Sequence, residues 1–270
     1  MSAVTIRLIA NAGVLIDYQG TQILIDALHE GHRLYPGTPP VAIQSLLDGH
    51  PPFEKLAALV FTHHHADHFS ARLALNVLQR YPDLPFLSDE ASASDLLTLT
   101  ALESEWFDKS RIRTFSWKIN TFELETAQQK IHSADQPVSV GPFTLEPISF
   151  LHEGKRFEEV ANIGYIISVG GRRILYPGDA RISPDNFQAV TQTNQPIDAA
   201  ILMFPYISTG RGQNLIRDIL HPRQIVAVHL PDPERDTHDF LKNAYRAYER
   251  SKDKLPETVF LHRYLDFTEL

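Results

Sequence analysis

Apolar, β-forming residues dominate three short opening runs, Val4–Ile9, Val14–Tyr18 and Gln22–Ile25, and predict strands. Asn11-Ala12-Gly13 and Gln19-Gly20 separate the runs and read as turns, so the three predict an antiparallel meander. The third run ends in Asp26 and enters a polar loop from His29 to Pro40. Val41–Leu47 predicts a short helix. Leu56–Phe61 is continuously apolar, as suits a buried strand. Ser70 stands where it would cap a helix through Arg80 carrying Leu73, Leu75, Val77 and Leu78. Pro82–Leu87 reads as a strand, and Asp89 as the cap of an Ala- and Leu-rich helix reaching Glu105.

The second half repeats this order. Arg111 to Ser149 is β-like, with Phe143, Leu145 and Pro147 alternating and a polar loop from Ala127 to Pro137. Ile163–Val169 and Arg173–Tyr176 predict a hairpin across Gly170-Gly171. Ser183-Pro184 starts a helix with proline in its first turn. Ile197–Phe204 and Gln224–His229 predict buried strands, with a helix over Gly212–Leu220 between them. A long amphipathic helix over Arg235–Arg250 and a closing strand, Thr258–Leu261, complete the prediction. Two β-then-α halves imply an α/β four-layer sandwich, αββα, with two sheets packed together and helices outside. Periodicity alone fits a doubly wound α/β fold equally well. No low-complexity linker divides the chain, so residues 1–270 read as one domain.

Composition narrows the chemistry. Hydrophobic residues make up 43% of the 270 and charged residues 21%, enough for a sizeable core. The formal net charge of −8 argues against nucleic acid as a partner. No window offers the roughly 18 apolar residues of a membrane span, and the start lacks the pattern of a signal peptide. The cytoplasm is therefore the default expectation, with no membrane partner. There is no cysteine, which excludes disulfides, thiolate nucleophiles and cysteine zinc sites. Any metal must sit on histidine and carboxylate, and the chain has 13 histidines. No Walker-type phosphate loop and no Gly-x-Ser-x-Gly elbow occurs.

The segment Phe61-Thr62-His63-His64-His65-Ala66-Asp67-His68 stands out. It follows an apolar strand and precedes a capped helix, so it lies at a strand's carboxyl end, where layered α/β folds place their sites. In an extended chain His63 and His65 point the same way and His64 points away. Imidazoles and a carboxylate at this density suit a divalent ion. At this chain's own frequencies, His-x-His-x-Asp-His arises by chance roughly once in five hundred such chains. Taken alone, His152 and His229 read as structural strand-end histidines, and Gly178-Asp179 as an ordinary turn.

The His-x-His-x-Asp-His segment resembles the signature of the metallo-β-lactamase superfamily. Other segments match in chain order: Leu24-Ile25-Asp26, Ser149-Phe150-Leu151-His152, Tyr176-Pro177-Gly178-Asp179 and Val226-Ala227-Val228-His229. The resemblance implies that His63, His65 and His152 bind one metal, that Asp67, His68 and His229 bind a second, and that Asp179 bridges them. It implies that Asp67 also serves catalysis, orienting a metal-bound hydroxide. Asp26 is expected to organise the loops beneath the site without touching metal. Two divalent ions, zinc first, with manganese, iron or nickel as alternatives, lower the pKa of bound water from near 15.7 to roughly 7. Four positive charges against two carboxylates and a hydroxide favour a small anionic substrate.

The expected activity is therefore metal-dependent hydrolysis of a small ester, lactone or phosphodiester. The alternatives are a redox enzyme of the same fold with iron at the site, and a non-catalytic metal-binding member. The diiron flavoproteins of the superfamily place Glu where this chain has His65, which favours hydrolysis. His29, His32, Tyr206, Arg211 and His262 are candidate substrate contacts. Solvated loop positions (for the histidines) and surface packing (for Tyr206 and Arg211) are the plainer readings.

Overall fold

The computed structural model describes residues 2–103, 107–117 and 136–270. The first half runs β1 (Val4–Ala10), β2 (Gly13–Tyr18) and β3 (Thr21–Ile25), then a small hairpin of β4 (Gly31–His32) and β5 (Tyr35–Pro36). α1 (Pro40–Asp48), β6 (Leu56–Val60), α2 (Ala71–Arg80), β7 (Phe86–Asp89), α3 (Glu90–Glu103) and β8 (Ile112–Phe115) follow. The second half runs β9 (Val138–Val140), β10 (Phe143–Phe150), β11 (Asn162–Val169) and β12 (Arg172–Tyr176). Then come α4 (Gln188–Thr191), β13 (Ala199–Met203), α5 (Pro205–Ser208), α6 (Gly210–Leu215), β14 (Gln224–Val228), α7 (Phe240–Ser251), β15 (Glu257–Phe260) and β16 (Phe267–Glu269).

Two sheets result, in the orders β16-β1-β2-β3-β6-β7-β8 and β15-β14-β13-β12-β11-β10-β9. In the first, β1 to β3 are antiparallel, and β3, β6, β7 and β8 are parallel. The second mirrors it, antiparallel from β9 to β12 and parallel from β12 to β15.

The apolar strands are continuous because both faces are buried. In β3, Ile23 and Ile25 join the core between the sheets, while Leu24 faces α1 and α2. In β13, Ala199 and Ile201 point to the same central core, and Ala200 and Leu202 to an outer core shared with α5 and α6. One core between sheets and one outside each sheet make the αββα sandwich. A doubly wound fold, with a single sheet, is thereby ruled out. Among the described residues, no helix is long and apolar enough to cross a membrane.

Several elements differ from expectation. The strand expected over Pro82–Leu87 forms at Phe86–Asp89, because Leu59 and Val60 set its register. The helix expected from Arg235 begins at Phe240. The Asp236 carboxylate accepts from Phe240 N at 3.0 Å and Leu241 N at 2.8 Å, which starts the helix late. Gly212–Leu220 is the end of α6 followed by a π-helical turn, Ile216–Leu220. Ser183-Pro184 opens a 3-10 turn that runs into α4. The closing strand is not β15: β16 follows, leaves the second sheet and pairs with β1. Residues 118–135, most of the loop expected over Ala127–Pro137, lie outside the described residues, as does the expected helix end at Glu105.

Candidate metal centre

The parallel strands aim their carboxyl ends at one place. β6 delivers the turn 62–68, β10 ends just before His152, β12 just before the Pro177-Gly178-Asp179 corner, and β14 just before His229. The turn closes on itself, His68 N and Phe69 N both donating to His65 O at 2.9 Å. At the corner, Gly178 has φ +59, and a Cβ there would lie 2.5 Å from Asn162 Oδ1. Glycine thus lets the corner close and delivers Asp179. Asp26 and His229 also hold left-handed backbone, at φ 49 and 57. Such conformations gather at functional sites because the surroundings must enforce them.

Seven side chains converge. His63, His65 and His152 form one group, Asp67, His68 and His229 another, and His63, His68 and Asp179 a third linking them, with ligand atoms in each group within 4.8 Å of one another. His63 Nε2 lies 3.1 Å from His65 Nδ1 and 3.4 Å from His152 Nε2. The carboxylate of Asp179 is 3.4 Å from His68 Nε2, 3.5 Å from His229 Nε2 and 3.8 Å from His152 Nε2. Asp67 Oδ2 stands 3.5 Å from His229 Nε2.

Beneath them lies Asp26, fully buried. It accepts from Thr62 N (2.8 Å), Thr62 Oγ1 (2.6 Å) and Tyr176 OH (3.0 Å), and takes His68 Nδ1 at 3.0 Å. This fixes the tautomer of His68 and aims Nε2 at the centre, as carboxylates behind metal-ligating histidines do. His152 Nδ1 is likewise held, 2.7 Å from Glu153 O.

The electrostatics fit a cation. Burial, then the neighbouring imidazoles, holds His63 well below the usual histidine range and lowers His65 to about 4. Burial also lowers His152. These three present neutral nitrogens with lone pairs available. Burial opposes ionisation of Asp179 and Asp67, yet the adjacent His229 and His68 outweigh it and hold both carboxyls low. The reverse pull, led by Asp179, raises His68 and His229 above the histidine range against the cost of burial. His68 Nε2, His229 Nε2 and Asp179 Oδ1 are buried without hydrogen-bond partners. A divalent ion would replace the protons on these two imidazoles and give the three atoms a shared partner. The donor set is right for divalent metal.

The family model described as the beta-lactamase superfamily domain matches residues 21–229. The chain belongs to the metallo-β-lactamase superfamily. The metallo-beta-lactamase fold protein YhfI from Bacillus subtilis is similar at 16% identity and a TM-score of 0.63, with 100% of each chain covered. A protein of Veillonella parvula DSM 2008 named a possible metal-dependent hydrolase gives 16%, 0.66 and 100% of each chain. CmlA, a diiron beta-hydroxylase from Streptomyces venezuelae, gives 15% and 0.59, covering 100% of this chain and 54% of CmlA. A search of curated proteins finds no match to the sequence.

In this metallo-β-lactamase domain the seven residues border or underlie a pocket of about 470 Å³. His32, Tyr35, Ala66, Glu153, Arg156, Phe157, Met203, Phe204 and Pro205 complete its lining. Of the candidate contacts, only His32 lines the pocket. His29 is no solvated loop residue: it is 1% exposed, and burial lowers its pKa to about 4. Tyr206 is buried and donates to Ala180 O at 2.8 Å. Arg211 pairs with Glu153 at 2.6 Å, and His262 sits in a separate pocket with Tyr245 and Phe267. His64 is absent from the lining, as its alternation with His63 and His65 predicts.

Sequence reasoning missed Tyr35, Arg156 and Phe157. The Tyr35 ring packs edge-on against His229 with centroids 4.2 Å apart. Its hairpin is too short for any periodic signal, and the loop carrying Arg156 and Phe157 has none.

Proposed function

We propose that this protein is a binuclear metal-dependent hydrolase of a small anionic ester, lactone or phosphodiester. The observation that carries the reading is the position of Asp179. Its carboxylate lies 3.8 Å from His152 Nε2 on one side and 3.5 Å from His229 Nε2 on the other, between two three-residue donor groups. His63, His65 and His152 would hold one ion, Asp67, His68 and His229 a second, and Asp179 would touch both. Divalent ions bound there supply Lewis-acid polarisation of the scissile group and activate water near neutral pH.

The chain's own residues do the rest. Asp67 lines the pocket and is held ionised by His229 and His68 against the cost of its burial, so it can accept a hydrogen bond from the attacking water and orient it. Oxygen from water adds to the carbonyl carbon or phosphorus, the bond to the leaving oxygen breaks, and the proton released by the water ends on that oxygen. Burial raises the pKa of Tyr35, so its hydroxyl stays protonated beside His229 and donates to the substrate oxygen that gains charge. The pocket volume suits one small molecule.

The test loads the protein with zinc, manganese, iron or nickel and measures metal content. The same samples are assayed on bis(4-nitrophenyl) phosphate, 4-nitrophenyl acetate, a γ-lactone and a β-lactam. Turnover with two ions per chain, reduced about a hundredfold or more by Asp67→Asn, supports the reading. Oxygen uptake by an iron-loaded sample without hydrolysis would replace it with redox chemistry. Turnover that Asp67→Asn leaves intact would remove Asp67 from catalysis.

A further inference from the structure

The loop after His152 departs from the core at Gly154, whose φ of +91 turns the chain into a single 3-10 turn, Lys155–Phe157. Phe157 N donates to Gly154 O at 2.9 Å, which closes the turn. The turn drives the Phe157 ring onto the centre, its centroid 4.8 Å from that of His65 and 5.1 Å from that of His152. Arg156 folds back over that ring, its guanidinium carbon 4.6 Å from the centroid. The charge is therefore held against the same ring that touches two of the candidate ligands. Stacking on a ring leaves the guanidinium edge open, and that edge matches an oxyanion in a two-point hydrogen bond.

The carboxylates nearby are occupied. Glu153 receives Arg211 at 2.6 Å on Oε1 and Ile182 N at 3.0 Å on Oε2. Glu158 takes Arg181 at 2.9 Å. Among the described residues Arg156 has no carboxylate within ion-pair distance, and no other Lys or Arg lines the pocket. Across the pocket Met203, Phe204 and Pro205 supply a second apolar wall. A molecule reaching from the centre to Arg156 would thus cross an apolar passage and end on a cation.

We propose that Arg156 and Phe157 form an oxyanion-reading subsite. It selects substrates with a second negative group, carboxylate or phosphate, set about one aromatic ring's width from the bond cleaved, the hydrocarbon between lying against Phe157. The inference rests on the hydrolase reading for the bond that is cut, and not for the binding of the second anion.

Isothermal titration of the zinc-loaded protein tests it with three non-hydrolysable probes: benzoate, benzene-1,4-dicarboxylate and 4-phosphonobenzoate. A charge-assisted two-point contact predicts about tenfold tighter binding of a doubly anionic probe than of benzoate. Arg156→Gln should remove that preference while changing benzoate affinity by less than about twofold. Arg156→Lys should retain part of it. A preference confined to the dicarboxylate assigns a carboxylate, and one confined to the phosphonate assigns a phosphate. Equal binding of all three probes by the unaltered protein, or a preference that survives Arg156→Gln, overturns the subsite. Binding with the expected preference, but no turnover of 4-acetoxybenzoate, of 4-carboxyphenyl phenyl phosphate or of the probes named above, overturns the hydrolase reading and leaves the subsite standing.

Discussion

His63, His65, Asp67 and His68 come from one turn, whereas His152, Asp179 and His229 come from the ends of three different strands of the other sheet. The turn is a unit: it closes on itself through His65 O, and Asp26 ties Thr62 and His68 to Tyr176 of the opposite sheet. Among the strand ends, the His152 and Asp179 segments are joined, Glu153 N donating to Asp179 O at 2.7 Å, while His229 is anchored apart from them. Asp179 N donates to Asn162 Oδ1 at 3.2 Å, and His229 N to Asn11 O at 3.1 Å. Damage to one anchor should therefore spread through the turn but stay local among the strand ends.

Asp26→Ala is expected to have the largest effect. It strips Thr62, His68 and Tyr176 of a shared buried acceptor, and should cost about 3–5 kcal/mol of stability. Metal affinity should fall at least about tenfold through His68. Denaturant titration and competitive metal titration measure both. A loss under about 1 kcal/mol would mean that the turn holds itself without Asp26.

The next effect is pH-dependent and belongs to the same region. His29 is buried close to His68, Asp67 and Asp26, and burial lowers its pKa from 6.5 to about 4. The unfolded chain binds this proton more readily, so stability from this residue is complete above about pH 6.5 and declines as pH falls towards 4. The loss between pH 7 and 4.5 is on the order of 2–3 kcal/mol. Denaturant titrations of the parent and of His29→Leu over that range should diverge by this amount, the parent losing more. Parallel curves would show that His29 protonates as easily folded as unfolded.

Asn162→Ala should have the smallest effect, about 1–2 kcal/mol, because Asn162 also donates to Pro177 O at 2.9 Å. Movement should be confined to Asp179 and to His152, whose segment is bonded to it. Crystal structures or histidine NMR shifts would show His68 and His229 unchanged, and a shift of both would erase the distinction between the two regions.

The same contrast explains what could be read in the residues. The turn is contiguous, so His63, His65, Asp67 and His68 declare themselves as a pattern. His152, Asp179 and His229 have no local signature, and became visible only through their order in a family resemblance. Tyr35, Arg156 and Phe157 left no trace, since their importance comes from folding beside His229, His65 and His152. His29 misled for a related reason. It lies in a polar stretch, yet its loop returns over Thr38 and His29 N donates to Thr38 Oγ1 at 3.0 Å in the interior. The strand and helix alternation was legible because both faces of β3, β6 and β13 are buried. β16 was not, because its burial is slight and its place is set by the free edge of β1.

That last strand also brings distant parts of the chain together. Val4 N donates to Leu270 O at 3.4 Å, and Leu270 N returns to Val4 O at 2.9 Å. β1 is thereby paired on both sides, and the short outermost β16 offers little backbone to an added strand from another molecule.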